Sequence, residues 1–536
     1  MPDIANSSSG ENAAFNIDLK TRIFLTASVM LATVMQVLDT TIANVALPHM
    51  QGSLSATQDQ ISWVLTSYIV ASAIAMPLTG WMVGRYGRKR VFMASVVGFT
   101  LASVACGLSA SLIEIVGARL LQGVCGAALV PLSQAVMLDI NPREKHGQAM
   151  AIWGIGVTLG PILGPTLGGW LTDSFNWRWV FYVNVPIGIL VSVGILIFMS
   201  ETTRAPARKL DFFGFATLSI AIGALQLFLD RGEIKDWFDS VEIWIELLAA
   251  TISFACFLAH TMTAQTTSFF NRALASDRNY VTGCGIYFLL GLVLYATRAL
   301  LPPLLQNVLN YSTIDSGLVT APSGVGSMFA MIAAGRLVSM MKARDLIIIG
   351  FAITAFSLWQ MCGYNLAMGQ GPVIWSGFMQ GFGLGFITVP LTTVTFSTLD
   401  PRLRPDGTSI YSLSRNIGSS IGISYVQTEL TRHTQMVHAS LVEHINAYNP
   451  LNSTLPDLWN VETTRGLAAL NAELTRQASM IAYLDDFKLL LVLTLCTIPV
   501  AFLLRRPKVP ANEPVPATEM VPATEPATAS QINADH

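Results

Sequence analysis

Fourteen apolar runs, each long enough to cross a bilayer as a helix, follow one another along this 536-residue chain and leave little else to fold. They fall at approximately 22–47, 60–82, 91–110, 112–137, 148–170, 179–200, 211–229, 241–263, 279–305, 316–338, 345–364, 372–397, 408–431 and 485–504. With 52% hydrophobic residues against 31 basic and 33 acidic ones, the chain lacks the charge that a soluble protein of this size carries. A net charge of -2 offers no basic surface to a nucleic acid. No stretch fits Gly-x4-Gly-Lys-Ser/Thr, so no phosphate-cradling loop for ATP is expected. The reading is an all-α integral membrane protein.

Basic residues set the orientation. With the N-terminus in the cytoplasm, 21 of the 31 lysines and arginines fall in inner segments. Short outer loops hold Arg178, Arg231 and Lys235; a long outer loop holds Arg432, Arg465, Arg476 and Lys488; and Arg119, Arg298 and Arg415 lie inside spans. Both termini are therefore expected in the cytoplasm, which an even number of spans requires. The first 20 residues lack the apolar core and cleavage site of a signal peptide, so the first run is expected to be a retained helix. All six cysteines sit in apolar runs, and the seven histidines are scattered. Neither a disulfide framework nor a zinc site is expected.

An internal repeat organises the spans. Gln122-Gly123 matches Gln380-Gly381, Pro131 matches Pro390 and Pro142-Arg143 matches Pro401-Arg402, at an offset of 258 to 259 residues. The same offset lands Asp39 on Arg298 and carries Gly80 near Gly335. Duplicated bundles around a central site are a common plan for membrane carriers. The simplest architecture is a six-helix half at 22–200, two inserted helices within 201–278, and a second six-helix half at 279–505, around a central cavity. A short N-terminal segment, 1–21, precedes them. The outer loop at 432–484 has helical periodicity at both ends, so the last two spans are expected to continue outward as helices. The tail at 506–536 repeats VPATE and is expected to be disordered.

Asp39 lies well inside an uncharged run, MQVLDTTIANVALP. An ionised carboxylate there is costly, so it should face a water-filled cavity, pair with a cation or take up a proton. Proton uptake is the chemistry that a proton-coupled carrier needs; a fixed, ion-paired carboxylate that only orients helices is the alternative. Arg119, in GARLLQG, cannot readily deprotonate. It would hold an anion, shift a neighbour's proton affinity, or tie its helix to backbone carbonyls. Thr40, Asn44, Gln122, Arg298, Gln380 and Arg415 are candidates for a substrate cavity, although for Arg415, opening its span near the cytoplasmic face, a snorkelling, interfacial role is the one favoured.

In WGIGVTLGPILGPTLGGW, Gly156, Gly160, Gly164 and Gly168 recur four apart on one face, with Gly169 beside them. Small residues at that spacing let a neighbouring helix approach to backbone contact. Pro161 and Pro165 remove donors and bend the helix. Beyond tight packing, this bent seam is expected to be where the two halves hinge. Between spans 2 and 3, GWMVGRYGRKR joins Gly80 and Gly87 to the cations Arg85, Arg88, Lys89 and Arg90. Part of that charge obeys the topology rule; the rest could form a latch to the other half or to a helix end.

At these residues the chain resembles a fourteen-helix drug:proton antiporter of the major facilitator superfamily, EmrB/QacA type. The resemblance rests on Asp39–Pro48 in the first span, Gly80–Arg90 in the loop, Arg119–Gly123 in the fourth span, Gly156–Gly169 in the fifth and NWRWVFYVNVPIG at Asn176–Gly188. It covers about residues 20 to 505, and the glycine-rich fifth span is its most specific part. It implies the major facilitator fold with 14 transmembrane helices (6 + 2 + 6), and export of amphipathic compounds across the inner membrane driven by proton entry rather than ATP. Asp39 would be the proton- or substrate-responsive carboxylate and Arg119 its electrostatic modulator. Many superfamily members carry an acid where this chain has Gly84, which unsettles a latch starting there. The resemblance further implies a periplasmic adaptor protein and an outer-membrane channel as partners, for which the long outer loop is a docking surface.

One carboxylate against three intramembrane arginines implies a cavity that is positive when Asp39 is protonated. Neutral or weakly acidic lipophiles are therefore expected over permanent cations. The alternatives are a proton-coupled importer, since a fold does not fix direction, and a non-transporting sensor or scaffold. No catalytic triad, metal cluster or cofactor fingerprint stands out, so no enzyme is expected.

Overall fold

A bilayer offers no water to satisfy backbone N–H and C=O groups, which leaves helices as the only way for this composition to cross it. The computed structural model describes residues 18–201, 210–263, 271–443, 459 and 463–504, and among these every regular element is helical. The tail at 506–536 and most of the segment at 1–21 lie outside the described residues.

The first half comprises α1 (Leu19–Ser53), α2 (Gln58–Ala75), α3 (Leu78–Tyr86), α4 (Arg88–Leu108), α5 (Leu112–Gly126), α6 (Leu129–Asp139), α7 (His146–Ser174), α8 (Trp179–Tyr182) and α9 (Asn184–Phe198). Two helices follow, α10 (Phe212–Arg231) and α11 (Val241–Thr263). The second half comprises α12 (Arg272–Ser276), α13 (Arg278–Pro303), α14 (Thr313–Thr320), α15 (Pro322–Leu337), α16 (Ala343–Met361), α17 (Gln370–Ser397), α18 (Arg404–Glu443) and α19 (Thr464–Ala501).

Among the described residues eleven helical stretches are long and apolar enough to cross a membrane, and α2 with α3, bent by 55° at their break, makes a twelfth. Pro77, which has no N–H to donate, sits at that break. The expected last two spans fall on α18 and α19, the longest helices at 40 and 38 residues. Neither is among the apolar eleven: α18 is rich in Ser and Thr, and α19 carries Asp485, Asp486 and Lys488 where its span would begin. Both run on into the 432–484 segment, α18 to Glu443 and α19 from Thr464.

In the first half α1 packs on α7 and α9, and α5 on α2 and α4. In the second, α17 packs on α15 and α16, and α18 on α13 and α19. The halves meet where α7 lies against α15 and α17, and where α18 lies against α3 and α6. Helix α10 bridges α2 and α18, and α11 packs on α10 at the periphery. These two helices are clipped to each other at both ends, by His260 to Asp211 at 2.9 Å and by Arg231 to Glu242 and Glu246 at 2.7 and 2.8 Å.

Candidate functional site

Asp39 is closed off at the centre of the first half. Arg119 and Gln122 lie three apart on α5 and so project from one face; both reach the carboxylate that α1 presents. Arg119 Nη1 donates to Asp39 Oδ2 at 2.6 Å, Gln122 Nε2 to Oδ1 at 2.9 Å, and Asn184 Nδ2, from the start of α9, to Oδ1 at 2.8 Å. Arg119 Nε donates to the Val64 carbonyl at 3.0 Å, and its guanidinium lies 4.4 Å from the Tyr68 ring centroid. Asn184 also donates to Ser103 Oγ at 3.0 Å. Asp39, Arg119, Gln122 and Asn184 are all 0% exposed. Charge is therefore matched inside a sealed site, where an ion pair persists only because both partners are present, while Asn184 Oδ1 is left without a hydrogen-bond partner among the described residues. Asn184 was missed by sequence reasoning; a lone amide in the apolar run NVPIGIL was its signal.

A separate cavity of about 290 Å³ lies between the halves, lined by Thr40, Tyr68, Pro161, Asp230, Tyr295 and Arg415 among others. A smaller one of about 40 Å³ adjoins it and shares Pro161, Tyr295 and Arg415; Trp153, Tyr287 and Arg298 also line it. Arg415 donates to Tyr287 Oη at 3.4 Å and to Asn416 Oδ1 at 3.1 Å, and lies 5.7 Å from the Tyr287 ring. Tyr287 in turn stacks on Tyr411 at 3.9 Å. Neither Arg298 nor Arg415 forms an ion pair among the described residues.

The sequence candidates thus divide. Thr40, Arg298 and Arg415 line the two cavities. Gln122 is instead enclosed with Asp39. Asn44 is exposed on α1, donates to the Thr40 carbonyl at 3.3 Å and lines neither cavity. Gln380 is buried on α17, its Nε2 without a hydrogen-bond partner, and also lines neither.

The glycine seam packs within one half. A methyl at Gly160 would stand 2.9 Å from Leu38 N on α1, and Gly156, Gly164 and Gly168 likewise face α1 side chains, while Gly169 faces open space. Thr41 Oγ1 donates to the Gly160 carbonyl at 3.1 Å. Pro165 follows Gly164 on the same helix, and Pro161 lines both cavities. The contact between halves uses another face of α7: a methyl at Gly335 on α15 would stand 2.8 Å from Ala151 Cβ and 3.1 Å from the Gly147 carbonyl.

The basic end of the bundle is tied across the halves. Asp139, at the end of α6, pairs with Arg88 at the start of α4 and with Arg404 at the start of α18. Asp406, one residue past Pro405, fills the space over Gly80. Gly84 has open space around it, so the acid of this latch comes from α6 and not from the loop. Glu201 accepts from Lys89 N at 3.2 Å and pairs with Arg90 at 3.8 Å, beside Gly87, which needs its positive φ of 91°. Arg85 stacks on Trp81 and Tyr86 at 5.7 and 5.8 Å.

Two helical halves meeting at paired helix crossings, with a largely apolar cavity carrying a few polar groups between them, form the frame of a carrier. The family model described as Major Facilitator Superfamily matches residues 29–423. The chain belongs to this superfamily. Multidrug export protein EmrB of Escherichia coli (strain K12) is 38% identical over 430 residues, covering 80% of this chain and 84% of that protein. Fatty acid resistance protein FarB of Neisseria gonorrhoeae is 34% identical over 489 residues, covering 90% and 96%. In fold, the human organic anion transporter MFSD10 aligns with a TM-score of 0.57 at 15% identity, over 88% of this chain and 99% of that one. As a major facilitator protein the chain is a multi-pass membrane transporter, and its relatives point to drug efflux.

Proposed function

We propose that this chain is a proton-coupled exporter that moves amphipathic, neutral or weakly acidic lipophiles across the inner membrane by alternating access. Fourteen helices cross in a 6 + 2 + 6 plan with both termini cytoplasmic, and the proton gradient, not ATP, supplies the energy. The observation that carries the substrate class is the pair Arg298 and Arg415, which line adjoining cavities with no carboxylate partner among the described residues. Arginine keeps its charge and offers a planar fork to a carboxylate, while Tyr287, Tyr295 and Trp153 receive hydrocarbon beside it. The relatives' printed names, multidrug export and fatty acid resistance, support the same reading.

Asp39 and Arg119 are the coupling pair. Because Arg119, Gln122 and Asn184 saturate the carboxylate, Asp39 takes a proton only when α1 and α5 part. The tie at Asp139 closes the cytoplasmic end, so this conformation faces outward. Helices α18 and α19, reaching past the bilayer, offer a surface to a periplasmic adaptor protein that hands substrate to an outer-membrane channel.

The test uses purified protein in liposomes with an imposed pH gradient, following a weakly acidic dye and substrate-induced proton movement. Asp39→Asn is expected to abolish coupled transport and retain dye binding; unchanged transport would reduce Asp39 to a structural role. Stronger transport of ethidium-like cations than of aromatic or fatty acids would refute the substrate class.

A further inference from the structure

The acid that faces the cavity is not Asp39. Among the described residues that line it, Asp230 is the one acid, and it belongs to α10, the first of the two inserted helices that the repeat leaves without a role. Asp230 is exposed, whereas Asp39 is fully enclosed. The Thr66 hydroxyl on α2 donates to the Asp230 carboxylate. One turn of α2 then serves both acids. Val64 and Tyr68, either side of Thr66, supply the carbonyl and the ring that hold Arg119, at 3.0 and 4.4 Å.

We infer that Asp230 is a second proton-accepting carboxylate of the transport cycle, the one that meets the outer medium, and that α2 links its charge to the sealed Asp39–Arg119 pair. The inference rests on the proton-coupled export proposed above. The step is a protonation alone: one proton from the outer side adds to one carboxylate oxygen, and no other bond forms. An ionised Asp230 is an acceptor only, and grips the Thr66 hydroxyl; a protonated one carries a donor of its own, and the bond must turn round or open. That changes the hold of α10 on α2, and α2 holds Arg119.

The surrounding charges leave Asp230 able to respond. On its own helix, Arg231 is committed to Glu242 and Glu246 of α11 and lies 5.6 Å over Trp63 of α2. Glu233, just beyond α10, accepts from Thr431 of α18 at 2.7 Å. On α18, Glu429 pairs with His433 at 2.9 Å, and Arg415 lines the same cavity as Asp230. On α2, Tyr68 accepts from Gln36 Nε2 at 3.0 Å. Asp230 itself forms no ion pair among the described residues. Helix α10 is seated to pass on the signal: Gln226 accepts from Ser420 at 3.0 Å on α18, and Gly223 lies against Ile74 on α2.

The experiment measures transport of a neutral amphipathic dye by full-length protein in liposomes while the pH on the outer face is stepped. Asp230→Asn is expected to lose roughly tenfold of the acid-driven rate, a usual size for coupling between sites, and to show a flat pH profile while melting like wild type. Asp230→Glu is expected to restore the profile. Thr66→Val, which withdraws a hydrogen bond from the ionised form, is expected to displace the profile toward higher pH, and it reads the same group should Asp230→Asn not accumulate. An Asp230→Asn profile that tracks wild type at every pH overturns this inference alone, as does an unmoved Thr66→Val profile. A flat wild-type profile removes proton coupling itself, and this inference with it.

Discussion

Neutralising one member of the enclosed pair should cost more stability than neutralising both. Asp39 and Arg119 have side chains 0% and 1% exposed, so solvent screens neither. Arg119 meets one carboxylate oxygen, and Gln122 with Asn184 meets the other. An amide at position 39 can accept at one side only; its NH2 must face either the guanidinium or the two amide donors. Asp39→Asn therefore leaves a buried cation uncompensated, at a cost of about 3–5 kcal/mol. Arg119→Met leaves the carboxylate still solvated by two amides and should cost less. With both changes no charge remains to be desolvated, and the double variant should melt above Asp39→Asn alone, the signature of a coupled pair. Thermal unfolding of the purified protein, followed through its 11 tryptophans, reads the cycle. Additive losses, or an Asp39→Asn protein that melts with wild type, would refute the reasoning, because either result means that the carboxylate is already neutral or the arginine already hydrated.

Three further outcomes follow from the geometry. Asp139→Asn removes the charge shared by Arg88 and Arg404; spin labels at positions 145 and 339 should then report a second, longer distance, and an unchanged distribution would deny the latch. Gly381→Ala drives a methyl into the Ser323 carbonyl and should destabilise by about 1–3 kcal/mol. Gly117→Ala, with nothing within 4 Å, should not, and equal melting shifts for the two would contradict the packing. Arg415→Gln should raise KM for a weakly acidic dye and spare a neutral one, whereas an equal change in both would assign Arg415 to packing against Tyr287 and Tyr295.

What the sequence makes legible is whatever a bilayer forces on it. Apolar runs must become helices, so Asp39 and Arg119, isolated in such runs, stand out at once, but with three arginines inside spans only the fold shows which of them pairs with Asp39. Residues at run ends carry no such penalty. Asp139 and Asp230 close α6 and α10, where an acid reads as ordinary surface, and only the packing of α4 and α18 around α6 and of α10 against α2 gives them partners. Periodicity has a similar limit. Spacing by four correctly marks Gly156, Gly160, Gly164 and Gly168 as one close-packed face, yet it cannot say which helix fills that face, and α1 fills it instead of the second half. Gln122 and Gln380, equivalent in the repeat, show the same gap: one is spent on Asp39, and the other is buried away from both cavities.

The repeat also bears on where the halves touch. It carries Gly80 near Gly335, and each of these glycines lets a helix of the opposite half approach, α18 over Gly80 and α7 over Gly335, at the basic end of the bundle. Opening that end must part both crossings together, since each half is a packed unit. The two are chemically unlike. At Gly80 the contact is Asp406, next to the Asp139 pairing with Arg88 and Arg404; at Gly335 it is Ala151 and the backbone of Gly147 and Gln148. One crossing is held by charges that an approaching ion can weaken, the other by uncharged close packing that responds only to shape. The two crossings are therefore expected to answer to different perturbations, the Gly80 side to loss of the Asp139 charge and the Gly335 side to a change of shape.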